Sequence, residues 1–260
     1  MSAEGANGRR GVVVKTDLGY FCLDPDDELV SRELVQRGAY GMREIELARS
    51  HMDAGSRVLV VGAHIGTAAI PLSRSCRELV AVEANPATCE LLRLNVLLNE
   101  RRNITVIHAA ANDRDGSLDF VMSTHNSGGA KRMPKFRDTM YFYDNPQIAT
   151  VPAKRLDDIL EGSFDLVFMD IEGSEYFAFL GIPRILAQAR TLIVEFLPHH
   201  LTQVAGITAD DFVAPLAPHF DELTVPTTGR VAGREAFASV LHDMHARDQG
   251  DPAIVFRKRA

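Results

Sequence analysis

A chain of 260 residues is long enough for one large α/β domain with a filled core. Its net charge of −7 and its short, scattered basic clusters argue against a long polyanionic partner, so nucleic acid is not expected to bind. No apolar run approaches the ~18 residues of a membrane span, so no membrane association is expected. Cys22, Cys76 and Cys89 are too widely spaced for a disulfide or zinc framework, which fits a reducing cytoplasm.

Residues 1–10 are small and polar with no apolar stretch, the pattern of a disordered tail rather than a signal peptide. GVVVKTDLGYFCL (11–23) reads as two short strands around Asp17-Leu18-Gly19, a hairpin signal. Residues 28–52 are helical in pattern, interrupted near Gly38 and Gly41. The stretch 11–56 therefore forms an N-terminal extension of hairpin and helix. A free hairpin edge gives a second copy somewhere to pair, a route to a homodimer.

From 57 onward the pattern becomes regular. RVLVV (57–61) and LVAVE (79–83) are continuous apolar runs, as strands buried on both faces require. Between them lie a glycine-bearing turn and a helix ending near Arg74. Asn85-Pro86 starts the next helix, with Asn as N-cap and Pro in the first helical position. Ala87, Leu91, Leu94 and Leu98 are spaced to lay one face of it on the sheet. ITVIHAA (104–110) and SLDFVM (117–122) are further strands. Residues 123–150 break the rhythm with Gly128-Gly129, Lys131-Arg132, Pro134 and Tyr141-Phe142-Tyr143, the signature of a binding loop or lid. FDLVFM (164–169) and TLIVEF (191–196) flank a helix over 174–189, and HFDELTVP (219–226), a helix near 234–245 and AIVFRK (253–258) complete the chain. The alternation predicts an α/β fold, a doubly wound, mostly parallel seven-stranded sheet over 57–260. No composition shift divides it, so 11–260 reads as a single domain.

Ligands of such sheets sit beyond the carboxyl ends of the strands, and three of those ends carry unusual residues. In Val61-Gly62-Ala63-His64-Ile65-Gly66, Gly62 permits a sharp turn and Gly66 lets a helix start approach a ligand. Glu83 closes the second strand about twenty residues after the first glycine, placed to accept hydrogen bonds from both hydroxyls of a ribose. Asp170-Ile171-Glu172-Gly173-Ser174-Glu175 puts three carboxylates around one strand-to-helix turn. Buried together they repel, so they require solvent or a cationic ligand. Asp170, Glu172, Glu195, His199 and His200 show no tight ligand spacing, and no metal is expected.

With these segments assembled, the chain resembles the FkbM-type family of class I S-adenosylmethionine-dependent methyltransferases. VLVVGAHIG (58–66) is similar to the family's V-L-D-V-G-A-N-I-G turn. LVAVEANPATCELLRLNVLLN (79–99) resembles its V-x-A-F-E-P-x-P…L…N-x-x-L-N segment, and VPAKRLDDIL (151–160) the stretch before the next strand. FDLVFMDIEGSEYFAFLGIPRIL (164–186) is close to its D-x-x-K-I-D-V-E-G-x-E…L-x-G…L run, and LIVEF (192–196) fits the strand that follows. The resemblance implies a Rossmann-like fold and S-adenosylmethionine as cofactor. It implies that Gly62, Ala63 and Gly66 wrap the methionine part, with His64 in the same turn. It places Glu83 on the ribose with Ala84 and Asn85 beside it, Ala110, Ala111 and Asn112 near the adenine, and Asp170 where cofactor and acceptor meet. The family's Asp before the first glycine is Val60 here, its turn Asn is His64, and its Lys two positions before the strand-end Asp is Phe168.

Methyl transfer from a sulfonium is an in-line displacement, and a hydroxyl acceptor must lose its proton as the bond forms. Asp170 and Glu172 are best placed as the catalytic base, with His64 and His199 behind them. The expected activity is O-methylation of a small-molecule hydroxyl, on a sugar or another secondary metabolite, with 123–150 recognising the acceptor. The alternatives are an NAD-dependent oxidoreductase, which lacks its GxGxxG turn here, and a catalytically inactive S-adenosylmethionine-binding protein.

Overall fold

The computed structural model describes residues 11–123 and 125–259. The expected tail, residues 1–10, lies outside them. The hairpin forms as read: β1 (Val12–Thr16) pairs antiparallel with β2 (Gly19–Leu23) across Asp17-Leu18. Helices α1 (Val30–Arg37) and α2 (Met42–Ser50) follow, separated by Gly38 and Gly41, both with left-handed backbone.

The central α/β unit runs β3 (Arg57–Val61), α3 (Ala69–Ser73), β4 (Glu78–Glu83), α4 (Pro86–Leu98), β5 (Ile104–His108). Next come β6 (Ala110–Ala111), β7 (Gly116–Met122), β8 (Lys131–Arg132), β9 (Gln147–Lys154), α5 (Leu156–Ile159) and β10 (Leu166–Met169). The chain ends with α6 (Glu175–Gly181), α7 (Pro183–Gln188), β11 (Thr191–Phe196), a π-helical turn His200–Ala205, α8 (Ala209–Val213), β12 (Glu222–Val225), β13 (Arg230–Gly233), α9 (Phe237–Ala246) and β14 (Asp251–Arg257). The large sheet has the order β13-β12-β14-β11-β10-β3-β4-β5. It is parallel from β5 to β11, with β14 and β13 reversed. This is the predicted α/β class with eight strands instead of seven, because the stretch after β12 folds back as β13.

Alternate residues of the central strands face opposite layers. Leu59, Val61, Val167, Met169, Leu192 and Val194 join one core, roofed by α5 to α9. Val58, Val60, Leu166, Phe168 and Ile193 join the other, covered by the N-terminal hairpin, α1, α2 and α3. With both faces covered, 58–61 are all buried, which is why the run is apolar throughout. The register sets Phe168 beside Val60 on adjacent strands. Val60 and Phe168, the two apolar residues that depart from the resembled pattern, thus lie side by side in one core.

Three local expectations are corrected. The face that α4 buries is Thr88, Cys89, Leu92 and Asn95, not Ala87, Leu91, Leu94 and Leu98, and Leu94 is exposed. The helix is rotated because Asn95 hydrogen-bonds the β2 backbone, accepting from Cys22 N at 2.6 Å and donating to Cys22 O at 3.2 Å. Asn99, one turn on, does the same with Tyr20 at 3.0 and 2.6 Å. The edge of β2 is thus closed from within, which leaves β1 as the hairpin's only open strand among the described residues. The helix expected over 174–189 breaks at Ile182, because Pro183 lacks an amide hydrogen and restricts the residue before it.

The third concerns 117–154. β7 is not a strand of the large sheet, and 123–150 is not wholly a loop. β7 pairs antiparallel with β9 over seven residues, and β6 and β8 flank them in a separate sheet, β6-β9-β7-β8. Between β8 and β9 the insertion is tied down at Lys135 N to Val204 O and Phe136 N to Gln203 O, both 3.0 Å.

Candidate active site

A cleft opens beyond the carboxyl ends of β3, β4 and β10. Gly62, His64, Glu83, Ala84, Ala110, Ala111, Asp170 and Glu172 all line it, joined by Ala109, Phe120, Ser127 and Ala130. The glycine turn, the β4 carboxylate and the acid at the end of β10 therefore share one cavity.

The turn after β3 needs Gly62 for two reasons. Its φ is +85°, and a Cβ there would lie 1.7 Å from Asp170 O. The backbone of one site segment thus rests directly on that of the other. Amides of Gly62 and Ala63 donate to Val82 O at 2.9 and 3.0 Å, tying the turn to β4 as well. Glu83 is 8% exposed and accepts from His64 N through Oε2 and from Asn85 N through Oε1, each at 2.7 Å. A carboxylate offers about four lone-pair sites, so two remain for a ligand, and a ribose has two hydroxyls to give. The neighbouring wall of Val82, Ala84, Ala109, Ala110 and Ala111 is apolar and shallow-chained, suited to a flat base. The residues present fit an adenosyl group.

Four of the expected cofactor residues do not line the cleft. Ala63 is buried behind it, and Asn85 caps α4, accepting from Ala87 N at 3.0 Å. Gly66 has φ +98°, and a Cβ there would crowd Ile70 and Leu92 at 3.0 Å, so packing accounts for it. The helix it was expected to open begins three residues later, at Ala69. Asn112 turns toward Arg114 O at 3.1 Å, under α6.

His64 stands at φ +49° with its Nε2 2.7 Å from Ser127 Oγ. Ser127 in turn donates to Asp27, which is 4% exposed and also accepts Ser127 N at 3.1 Å. An Asp27–Ser127–His64 chain thus links the N-terminal extension, the insertion and the glycine turn. Burial pushes the His64 imidazole below its usual range, against the pull of Glu83 and Asp27. Nothing local in sequence announces this link, since its three members are separated by 37 and 63 positions.

At the other end, Asp170 continues β10 and Glu172 follows with φ +55°, then Gly173 with φ +93°. Glu175 closes this turn, accepting from Ile171 N at 3.1 Å and Gly173 N at 3.3 Å. Glu195 from β11 completes a group of four carboxylates. Burial first, then Glu195, Glu172 and Glu175, push Asp170 well above the usual carboxylate range. Burial, Glu172 and Glu175 do the same to Glu195. Glu175 also rises through burial, opposed by His200 and its amide donors. The offsetting cation is Lys131 from the insertion, its Nζ 2.8 Å from Glu172 Oε2 and 5.4 Å from the centre of the Tyr141 ring. Lys131 is thus paired with an acid of the chain itself. His199 lies outside the cleft lining, its ring 6.4 Å from that of Tyr141. Among the described residues no group of three or more His, Cys, Asp or Glu is placed to hold a metal ion. Nor is any described helix long and apolar enough to cross a membrane.

The sequence profile of the methyltransferase FkbM domain matches residues 61–225. No curated protein matches the chain. Among solved structures, the methyltransferase FkbM from Methylobacillus flagellatus KT is similar at 16% identity and TM-score 0.47, over 79% of this chain and 44% of that one. This chain thus spans less than half of that protein. A TehB-like SAM-dependent methyltransferase from Corynebacterium glutamicum ATCC 13032 Kitasato is similar at 13% identity and TM-score 0.50, over 88% and 94% of the two chains. The tRNA m1G37 methyltransferase from M. jannaschii is similar at 12% identity and TM-score 0.48, over 98% and 59%. The expectation that nucleic acid is excluded as a partner is corrected, because the acidic balance it rested on does not exclude one. A net charge is a sum over the whole chain and does not set the field at one cleft mouth. With the cleft at the carboxyl ends of a class I sheet and the profile covering more than half of its length, the chain belongs to the FkbM family of S-adenosylmethionine-dependent methyltransferases.

Proposed function

We propose that the cleft binds S-adenosylmethionine and that the chain transfers its methyl group to a hydroxyl of a small polyhydroxylated acceptor, a sugar or another secondary metabolite. The observation that carries this reading is the convergence of Glu83, the alanine wall and the Asp170–Glu172 turn on one cavity. Bound S-adenosylmethionine would supply an electrophilic methyl carbon on a positively charged sulfur.

In this reading Glu83 holds the ribose hydroxyls, already fixed by two backbone amides. Ala84, Ala110 and Ala111 form the slot for the base, and Gly62 and His64 border the amino-acid part. Asp170 faces the cationic end, where a positive neighbour reverses the effect of its burial and draws it to the charged form. Glu172 takes the acceptor's proton. The insertion 123–150, pinned by Asp27 on one side and by Val204 and Gln203 on the other, borders the entry of the acceptor. The N-terminal extension, core and insertion act as one unit, and the three free thiols suit a cytoplasmic setting.

The test is release of S-adenosylhomocysteine from methyl-labelled donor against glycosides, polyhydroxylated metabolites and RNA transcripts, each with and without EDTA. Label in an ether carbon of a small acceptor supports the reading. Label in RNA alone, or none with any acceptor, overturns it.

A further inference from the structure

His200 opens the π-helical turn and its side chain is 4% exposed, wedged between two carboxylates. Nε2 lies 3.4 Å from Glu172 Oε2, and Nδ1 lies 3.5 Å from Glu195 Oε2. Nδ1 and Glu195 Oε2 are both buried, and neither has a hydrogen-bond partner among the described residues. Leaving a buried polar atom unpaired costs about 1–3 kcal/mol, and closing this gap by a few tenths of an ångström satisfies both at once. The ring has little room to turn elsewhere. A Cβ on Gly173 would sit 3.2 Å from His200 Cβ, and the His199 and Tyr141 rings lie 4.4 and 6.3 Å away.

We propose that His200 is a positioning residue that gives Glu172 its role: Glu195 donates a proton to Nδ1, Nε2–H then points at Glu172 Oε2, and Oε1 is left to receive the acceptor's proton. Lys131 binds the same Oε2, and no hydrogen bond to Oε1 occurs among the described residues. Other charged or titratable groups facing the ring are Glu175 from the β10 turn, Lys131 and Tyr141 from the insertion, and His199 beside it. Burial pushes Glu195 well up and the imidazole down. Both directions put the proton on the Glu195 oxygen instead of on Nδ1. The role rests on Glu172 being the base proposed above. In that step the acceptor O–H bond breaks as its O–CH₃ bond forms, the proton passes to Glu172 Oε1, and the C–S electron pair stays on sulfur.

The experiment is ¹⁵N imidazole NMR on the full, ligand-free chain near neutral pH. His200 is expected to be neutral, protonated at Nε2 and accepting at Nδ1. Glu195→Leu should mix the two tautomers, and Glu195→Gln, whose amide donates in the same direction, should preserve the wild-type pattern. A proton on Nδ1 in the wild type, or no change in Glu195→Leu, overturns the role. A kinetic arm compares His200→Leu with His200→Gln, which keeps an N–H donor. Leu should lower kcat about tenfold and move the acidic limb of the pH profile, with donor Kd within about twofold, and Gln should recover part of the loss. Equal losses with an unmoved limb overturn it. Silence of the wild type with every acceptor would count against methyl transfer itself, and the imidazole pattern decides the role of His200 either way.

Discussion

The two ends of the cleft are built in opposite ways. At the Glu83 end one carboxylate is held by two amides at 2.7 Å, and its partners come from the adjacent turn and its own strand end. At the Asp170 end four carboxylates from two strand ends share one lysine and one histidine, and three buried atoms, Ser174 Oγ, Glu195 Oε2 and His200 Nδ1, have no hydrogen-bond partner among the described residues. In the proposed reading the first end is preorganised to receive a neutral sugar. The second is short of positive charge until something cationic arrives. A site divided this way suits a ligand that is neutral at one end and charged at the other.

Each end can be broken separately. The largest effect is expected for Glu172→Gln, which removes the base but not the donor pocket. kcat should fall by about 10²–10⁴ while donor Kd, read by calorimetry, stays within about threefold. At the other end Glu83→Ala removes the ribose acceptor and frees the His64 and Asn85 amides. Donor affinity should weaken by about a hundredfold or more, two hydrogen bonds to a charged group being worth roughly 1.5–3 kcal/mol each.

A pH experiment sharpens the contrast. In the free protein burial and neighbouring acids favour protonated Asp170. A cationic donor favours the charged form, so its binding should release a proton. Donor affinity should then rise with pH, by up to about tenfold per unit, and level off above the raised pKa of Asp170. The Glu83→Ala variant should keep that slope and Asp170→Asn should lose it, both readable by titration in buffers of different ionisation heat.

The smallest effect concerns stability. Glu195 is raised in the folded chain, so the fold holds more protons than the unfolded chain between the two pKa values. That contribution is complete below the unfolded value and is lost as pH rises through the folded one. Glu195→Gln should therefore raise Tm at pH 8 by about 2–4 °C, the shift for about 1 kcal/mol in a chain of this size, and change it little at pH 4. Calorimetric scans at the two pH values check the sign.

The Glu83 end was legible in sequence because its logic is local. Apolar runs, a glycine turn and an acid at a strand tip lie within 27 consecutive residues. Gly66, Asn85 and Asn112 are part of that pattern and sit beside the site, but they serve turn packing, a helix cap and the underside of α6. The Asp170 end was only half legible. The DIEG turn was visible, and Glu195 and His200 follow the neighbouring strand, but Lys131 reaches Glu172 from the insertion and no spacing encodes that meeting. Asn95 and Asn99 show the same limit. Helical spacing pointed to the leucines, and the pairing of two amides with the β2 backbone turned the helix instead.

A structure of the full chain with S-adenosylhomocysteine tests the central claim most directly. Both ribose hydroxyls should lie within hydrogen-bond reach of Glu83, with the base against Ala110 and Ala111 and the sulfur facing Asp170 and Glu172. A ligand that leaves Glu83 untouched, or that turns its sulfur toward the alanine wall, would contradict the account.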